Sequence, residues 1–249
     1  MDTKILEINA DISGRRRIKI ALHEIYADAT TWNENGISWL EQYTRDNADT
    51  VKGMPLCAEF VDKDKDIPYG HGMTGIKGDI PVFEESEQVG AFENWTIEDI
   101  EIDGEKHKCL CGIGYINENR YPKFCDWIER QFYGGNRVFG SVETTGTKEN
   151  HGEIIYDGGW KEQGRIPMIY DYTGFCIITM RPADDKAVLL EYEKGQSMNK
   201  EEKDNFDDVF LDLMGERNTA TDSSEFDSIF DDSKPKKPIK TEFDDILDF

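Results

Sequence analysis

At 249 residues the chain is long enough for one substantial domain with an extension, or for two small domains. Its formal charge of −23 argues against a nucleic-acid backbone as partner, and no run of eighteen apolar residues offers a membrane span. Met1 to Ala10 carries charges where a signal peptide needs an apolar core, and five scattered cysteines suit a reducing cytoplasm.

The charge is uneven. Residues 197–249 hold 7 Lys/Arg against 16 Asp/Glu. Composition therefore predicts a body over residues 1–195 and an acidic, largely disordered tail over 196–249.

In the body, Ile18-Lys19-Ile20-Ala21-Leu22-His23 alternates as a half-buried strand does, and the arginines at 15–17 read as its solvated edge. Asn33-Glu34-Asn35-Gly36 is a turn signal, Ile37 to Asn47 suits a helix, and Met54 to Val61 reads as a buried strand. Asp62, Asp64 and Asp66 alternate, but a calcium loop needs glycine and glutamate where Ile67 and Met73 stand, so a charged turn is expected. Residues 95–102 and 108–116 pair as a hairpin across Asp103-Gly104. Cys109 and Cys111 fall on one face of that strand without a second zinc-spaced pair, which predicts packing rather than metal. His107, at the hairpin end, is expected to be exposed.

Arg120 to Tyr133 is the clearest helix, with Pro122 in its first turn, the stripe Phe124, Ile128 and Phe132, and Gly134-Gly135 closing it. It leads into a strand at Val138 to Gly146. A long extended run follows from Ile166 to Met180, closed by Arg181-Pro182-Ala183. The body reads as α+β, a closed or nearly closed antiparallel β-barrel flanked by helices.

Two residues offer nucleophilic chemistry. Ser141 sits in an apolar strand beside Gly140, and a serine hydroxyl is a weak nucleophile until a base takes its proton. His71 lies between Gly70 and Gly72 and is the candidate base.

The order of these pieces resembles the phage prohead (capsid maturation) serine proteases of the XkdF-like type, similar in fold to the herpesvirus assemblins. The resemblance is carried by Asn33-Glu34-Asn35-Gly36, by Gly53-Met54-Pro55-Leu56 with Gly70-His71, by Ser141-Val142-Glu143, and by Tyr170 to Ile178 with Arg181-Pro182-Ala183. It implies Ser141 as nucleophile, His71 as general base and Asp171 as the residue orienting the imidazole, with Glu143 and His151 as rivals for that role; Arg181 would support the oxyanion. It implies no cofactor and no metal. The implied activity is a serine endopeptidase that processes scaffold and capsid precursors, and itself, inside the immature procapsid in the host cytoplasm. The implied partners are phage scaffold, major capsid and portal proteins, with homo-oligomers allowed and neither nucleic acid nor membrane. The alternative is a catalytically inactive, protease-fold assembly protein that binds through its tail. Three tail segments repeat one pattern, Phe206-Asp207-Asp208-Val209-Phe210, Phe226-Asp227-Ser228-Ile229-Phe230 and Phe243-Asp244-Asp245-Ile246-Leu247, and read as docking peptides.

Overall fold

A computed structural model describes residues 14–77 and 80–193. The chain divides into Met1–Gly195 and Gln196–Phe249, and the three tail motifs lie outside the described residues. The elements are β1 (Arg15–Glu24), α1 (Glu41–Asn47), a 3-10 turn (Ala48–Val51), β2 (Pro55–Ala58), β3 (Gly75–Lys77), β4 (Ile80–Val82), β5 (Glu87–Ile102) and β6 (Glu105–Asn117). Then come α2 (Pro122–Tyr133), β7 (Phe139–Thr145), β8 (Ile155–Asp157), β9 (Ile166–Ile169), β10 (Asp171–Ile178) and β11 (Leu189–Tyr192). The fold is thus α+β and mostly strand. No helix among the described residues is long and apolar enough to cross a membrane.

Seven strands make one sheet in the order β11-β1-β6-β5-β2-β10-β7; β3-β4 and β8-β9 are separate two-stranded pieces. All neighbours in the large sheet are antiparallel except β10 and β2, which run parallel with Phe175 opposite Leu56 and Cys176 opposite Cys57. The sheet does not close into a continuous ladder. Its edge strands β7 and β11 meet at one bridge, Phe139 to Val188, flanked by Gly140 N–H to Ala187 O at 3.0 Å and Leu189 N–H to Val138 O at 2.9 Å. β11 is four residues long, which leaves most of β7 without a partner on that side.

The β5–β6 hairpin turns at Asp103 (φ 58°) and Gly104 (φ 80°), the two positive φ values that a two-residue turn matched to strand twist requires. Cys109 and Cys111 are fully buried and pack with Ala21. β1 is an interior strand, and Arg16 is buried between Glu118 (2.5 Å) and Glu129 (3.2 Å) rather than solvated. His107 is likewise engaged, its Nδ1 2.7 Å from Glu24 Oε1.

The expected helix from Ile37 starts only at Glu41. Ile37 and Leu40 form isolated bridges to Arg165 and Tyr26, and Trp39 is buried against the His23 ring at 4.5 Å. Tertiary pairing overrides helix propensity there. The run from Ile166 to Met180 breaks at Tyr170, which is fully buried.

Candidate active site

β7 is a two-faced strand. A Cβ at Gly140 would meet the Phe175 ring at 2.1 Å, and Val142 packs on the main core. By the alternation of side chains, Ser141 and Glu143 face the other way, out of the core. On β10, Phe175 and Ile177 belong to the core, so Cys176 between them shares the outward face. The register then sets Cys57, Cys176 and Ser141 in a row across β2, β10 and β7, with Glu143 one pleat further along.

His71 arrives over this face from the segment between β2 and β3. Glu59 fixes that segment: its Oε2 accepts the N–H of Gly70 (3.1 Å) and of Gly72 (2.8 Å), the residues flanking the histidine. Thr179 N–H donates to Tyr69 O at 3.0 Å, Glu85 N–H to Gly72 O at 3.1 Å, and the Cys176 thiol to Gly70 O at 3.1 Å. Glycine is required at 72, where φ is +66° and a Cβ would sit 2.4 Å from Ser86 N; at Gly70 a Cβ would meet only the tip of the Glu59 side chain, at 2.9 Å.

His71 Nδ1 lies 2.9 Å from Glu143 Oε1, with the carboxylate side chain 10% exposed and the imidazole 29% exposed. Facing an ionised carboxylate, which only accepts, a neutral imidazole carries its proton on Nδ1 and its lone pair on Nε2. Phe83 packs its ring 5.5 Å from the imidazole. A Cβ at Gly174 would lie 2.2 Å from Glu143 Oε2, so the absence of a side chain at 174 gives the carboxylate its place. A mostly covered carboxylate and an imidazole thus meet on the face of β7 that also carries Ser141. Among the described residues, no hydrogen bond joins the Ser141 hydroxyl to His71.

Residues 16–216 match the family described as the YonD N-terminal domain. The chain belongs to the YonD N-terminal domain family. No curated protein and no solved structure matches it.

Within this YonD N-terminal domain the other predicted residues stand apart from the imidazole. Asp171, opposite Thr145, begins β10 three residues before Gly174, about 10 Å along the strand. Its carboxylate makes no hydrogen bond or ion pair among the described residues. His151 is exposed at φ 57° in the turn after β7. Arg181 pairs with Glu34, its side chain 83% exposed. The structure therefore brings Glu143, not Asp171 or His151, to the imidazole.

Cys176 is fully buried, and burial pushes its thiol up, with Glu143 nearby adding to the shift. That makes it a hydrogen-bond donor to the loop rather than a nucleophile. Cys57 is pushed up to about 11 by burial and by Glu143. Glu59, Cys176 and Gly174 were not legible as site residues, because their roles depend on cross-strand register and on a loop clamp with no local motif. The Gly-His-Gly triplet was the visible trace of that clamp.

Proposed function

We propose that this domain is a serine endopeptidase of the prohead-maturation type, with Ser141 as nucleophile, His71 as general base and Glu143 as the residue that orients the imidazole. The single observation carrying this reading is the His71–Glu143 contact at 2.9 Å on the face and strand that also present Ser141. In the reaction, Nε2 takes the Ser141 proton as Oγ attacks the carbonyl carbon, and later gives it to the leaving amine; Glu143 stabilises the imidazolium between those steps. Tyr69, Met73 and Met180 stand exposed around His71 and offer an apolar bed for an extended peptide. A hollow of about 700 Å³ lies beside Phe139, bounded also by Tyr26, Trp32, Met180 and Arg181, and none of His71, Ser141 and Glu143 lines it. On this reading the substrates are the scaffold and capsid precursors of an immature phage head, and the site of action is the procapsid.

The test is incubation of the full chain with its scaffold and capsid precursors, read as fragments on a gel. Ser141→Ala and His71→Ala should each abolish cleavage, and the double variant should be no worse than either, since the residues act as a unit. Full cleavage by Ser141→Ala would overturn the assignment. The alternative, a non-enzymatic assembly protein, is favoured by one observation, the lack of a hydrogen bond between Ser141 and His71. It predicts packaging of the chain into heads with no processing of any precursor.

A further inference from the structure

Three different metal-ligating groups converge on the outward face. His71 from the loop, Glu143 from β7 and Cys176 from β10 place a ring nitrogen, a carboxylate oxygen and a thiol sulfur within 4.8 Å of one another. They come from segments far apart in sequence, and each is held independently: His71 by the Glu59 clamp, Cys176 by its bond to Gly70 O, Glu143 by the space over Gly174. From this geometry we infer an inhibitory binding site for a thiophilic divalent cation, of which zinc is the type, formed by His71, Glu143 and Cys176. The inference rests on the proposed protease reading, since it names a regulator of that same site.

The donor set selects the ion. A thiolate with an imidazole and one carboxylate suits zinc or cobalt, whereas magnesium and calcium take oxygen ligands. Ligands at about 2.0–2.3 Å from a tetrahedral zinc stand roughly 3.3–3.8 Å from each other. The His71–Glu143 pair must therefore open slightly, and the remaining separations, none above 4.8 Å, must close by no more than about 1.5 Å. The imidazole can do this by side-chain rotation, because it is the most exposed of the three. On binding, the Cys176 S–H bond breaks, sulfur keeps the electron pair as the metal–thiolate bond, and one proton leaves to solvent; the imidazole moves its own proton from Nδ1 to Nε2 through solvent, which frees the Nδ1 lone pair for the metal and leaves Nε2 unable to accept a proton. A metal held there occupies both the imidazole that would act as base and the carboxylate that orients it. It would arrest cleavage without reaching Ser141.

The test is a titration of the full chain with cobalt(II), followed by displacement with zinc(II). A thiolate-to-cobalt charge-transfer band should appear in the near ultraviolet and saturate at one equivalent. Cys176→Ser should lose the band and bind zinc at least about 10-fold more weakly, the loss that removing even an outer-shell partner produces. His71→Ala should also weaken zinc binding, while Cys57→Ser, whose thiol is adjacent but outside the cluster, should keep the band; circular dichroism checks that each variant is folded. Where precursor cleavage is measurable, zinc should stop it and a chelator restore it. No thiolate band in the folded wild-type chain would overturn the inference, as would a band that survives Cys176→Ser. The spectrum reports on the metal site whether or not the chain proves to be a protease, so the two proposals fail separately.

Discussion

At the scale of single residues, one carboxylate, Glu143, faces the imidazole. Glu143 Oε1 is 2.9 Å from His71 Nδ1, and Asp171 is tied to neither. Glu143→Gln should therefore lower cleavage on the order of 10⁴-fold, the scale for losing the anion that fixes a catalytic tautomer, while Asp171→Asn should leave the rate within a few-fold of wild type. Steady-state rates on one peptide substrate decide it, and the opposite ranking would return the role to Asp171. A second prediction concerns two buried titratable groups behind the site. His23 is held near 4 by burial, its Nδ1–H donating to Glu24 O at 3.0 Å and its Nε2 accepting from Tyr172 OH at 2.8 Å. Asp184 is raised to about 6 by burial despite accepting the N–H of Glu24 and of Lys186. Between pH 4 and 6 the unfolded chain carries a proton on His23 that the folded chain lacks, so this group makes stability rise with pH. Over the same window the folded chain holds a proton on Asp184 that the unfolded chain has lost, so that group makes stability fall. The two slopes oppose, each about 1.4 kcal/mol per pH unit at most. Denaturant melts across pH 4–6 should show His23→Gln tilting the profile downward with pH relative to wild type, and Asp184→Asn tilting it upward. Parallel profiles for all three proteins would contradict the burial account.

At the scale of elements, two glycines on neighbouring strands have opposite duties. Gly140 keeps β7 close to the Phe175 ring inside the core, and Gly174 leaves room for the Glu143 carboxylate outside it. Gly140→Ala should destabilise the fold by roughly 1–3 kcal/mol, as overpacking does, with activity following folded fraction. Gly174→Ala should cost less stability but displace the carboxylate from His71, lowering turnover in protein that remains folded. Thermal melts beside kcat separate the two; equal loss of stability with no excess loss of turnover at Gly174 would contradict the role given to it. These duties also show what the sequence could and could not reveal. Strands with clean alternation, the Asp103-Gly104 hairpin and the Pro122 helix were legible, because each is set by local pattern. Ser141 and His71 stood out through their glycine neighbours. The partnership of His71 with Glu143 was open, since it depends on which face of β7 turns outward and on a loop held by Glu59. The parallel pairing of β2 with β10, and the incomplete closure between β7 and β11, are likewise long-range facts with no local signature.

At the scale of the whole molecule, the family match ends at residue 216, so the first tail motif, Phe206 to Phe210, falls inside it and the other two fall beyond. All three lie outside the described residues. The account expects them to retain the enzyme on its assembly through repeated, individually modest contacts. Deleting residues 200–249 should leave cleavage of a free peptide intact and prevent incorporation into procapsids, counted by quantitative immunoblot of purified heads; normal copy number of the truncated chain would contradict this. Activation of Ser141 by His71 and Glu143 is tested by labelling the folded chain with a fluorophosphonate, followed by mass spectrometry of its peptides. The account predicts one adduct, on Ser141, absent from His71→Ala and from Ser141→Ala. No adduct on Ser141 in folded wild-type protein that still cleaves its precursors would contradict it.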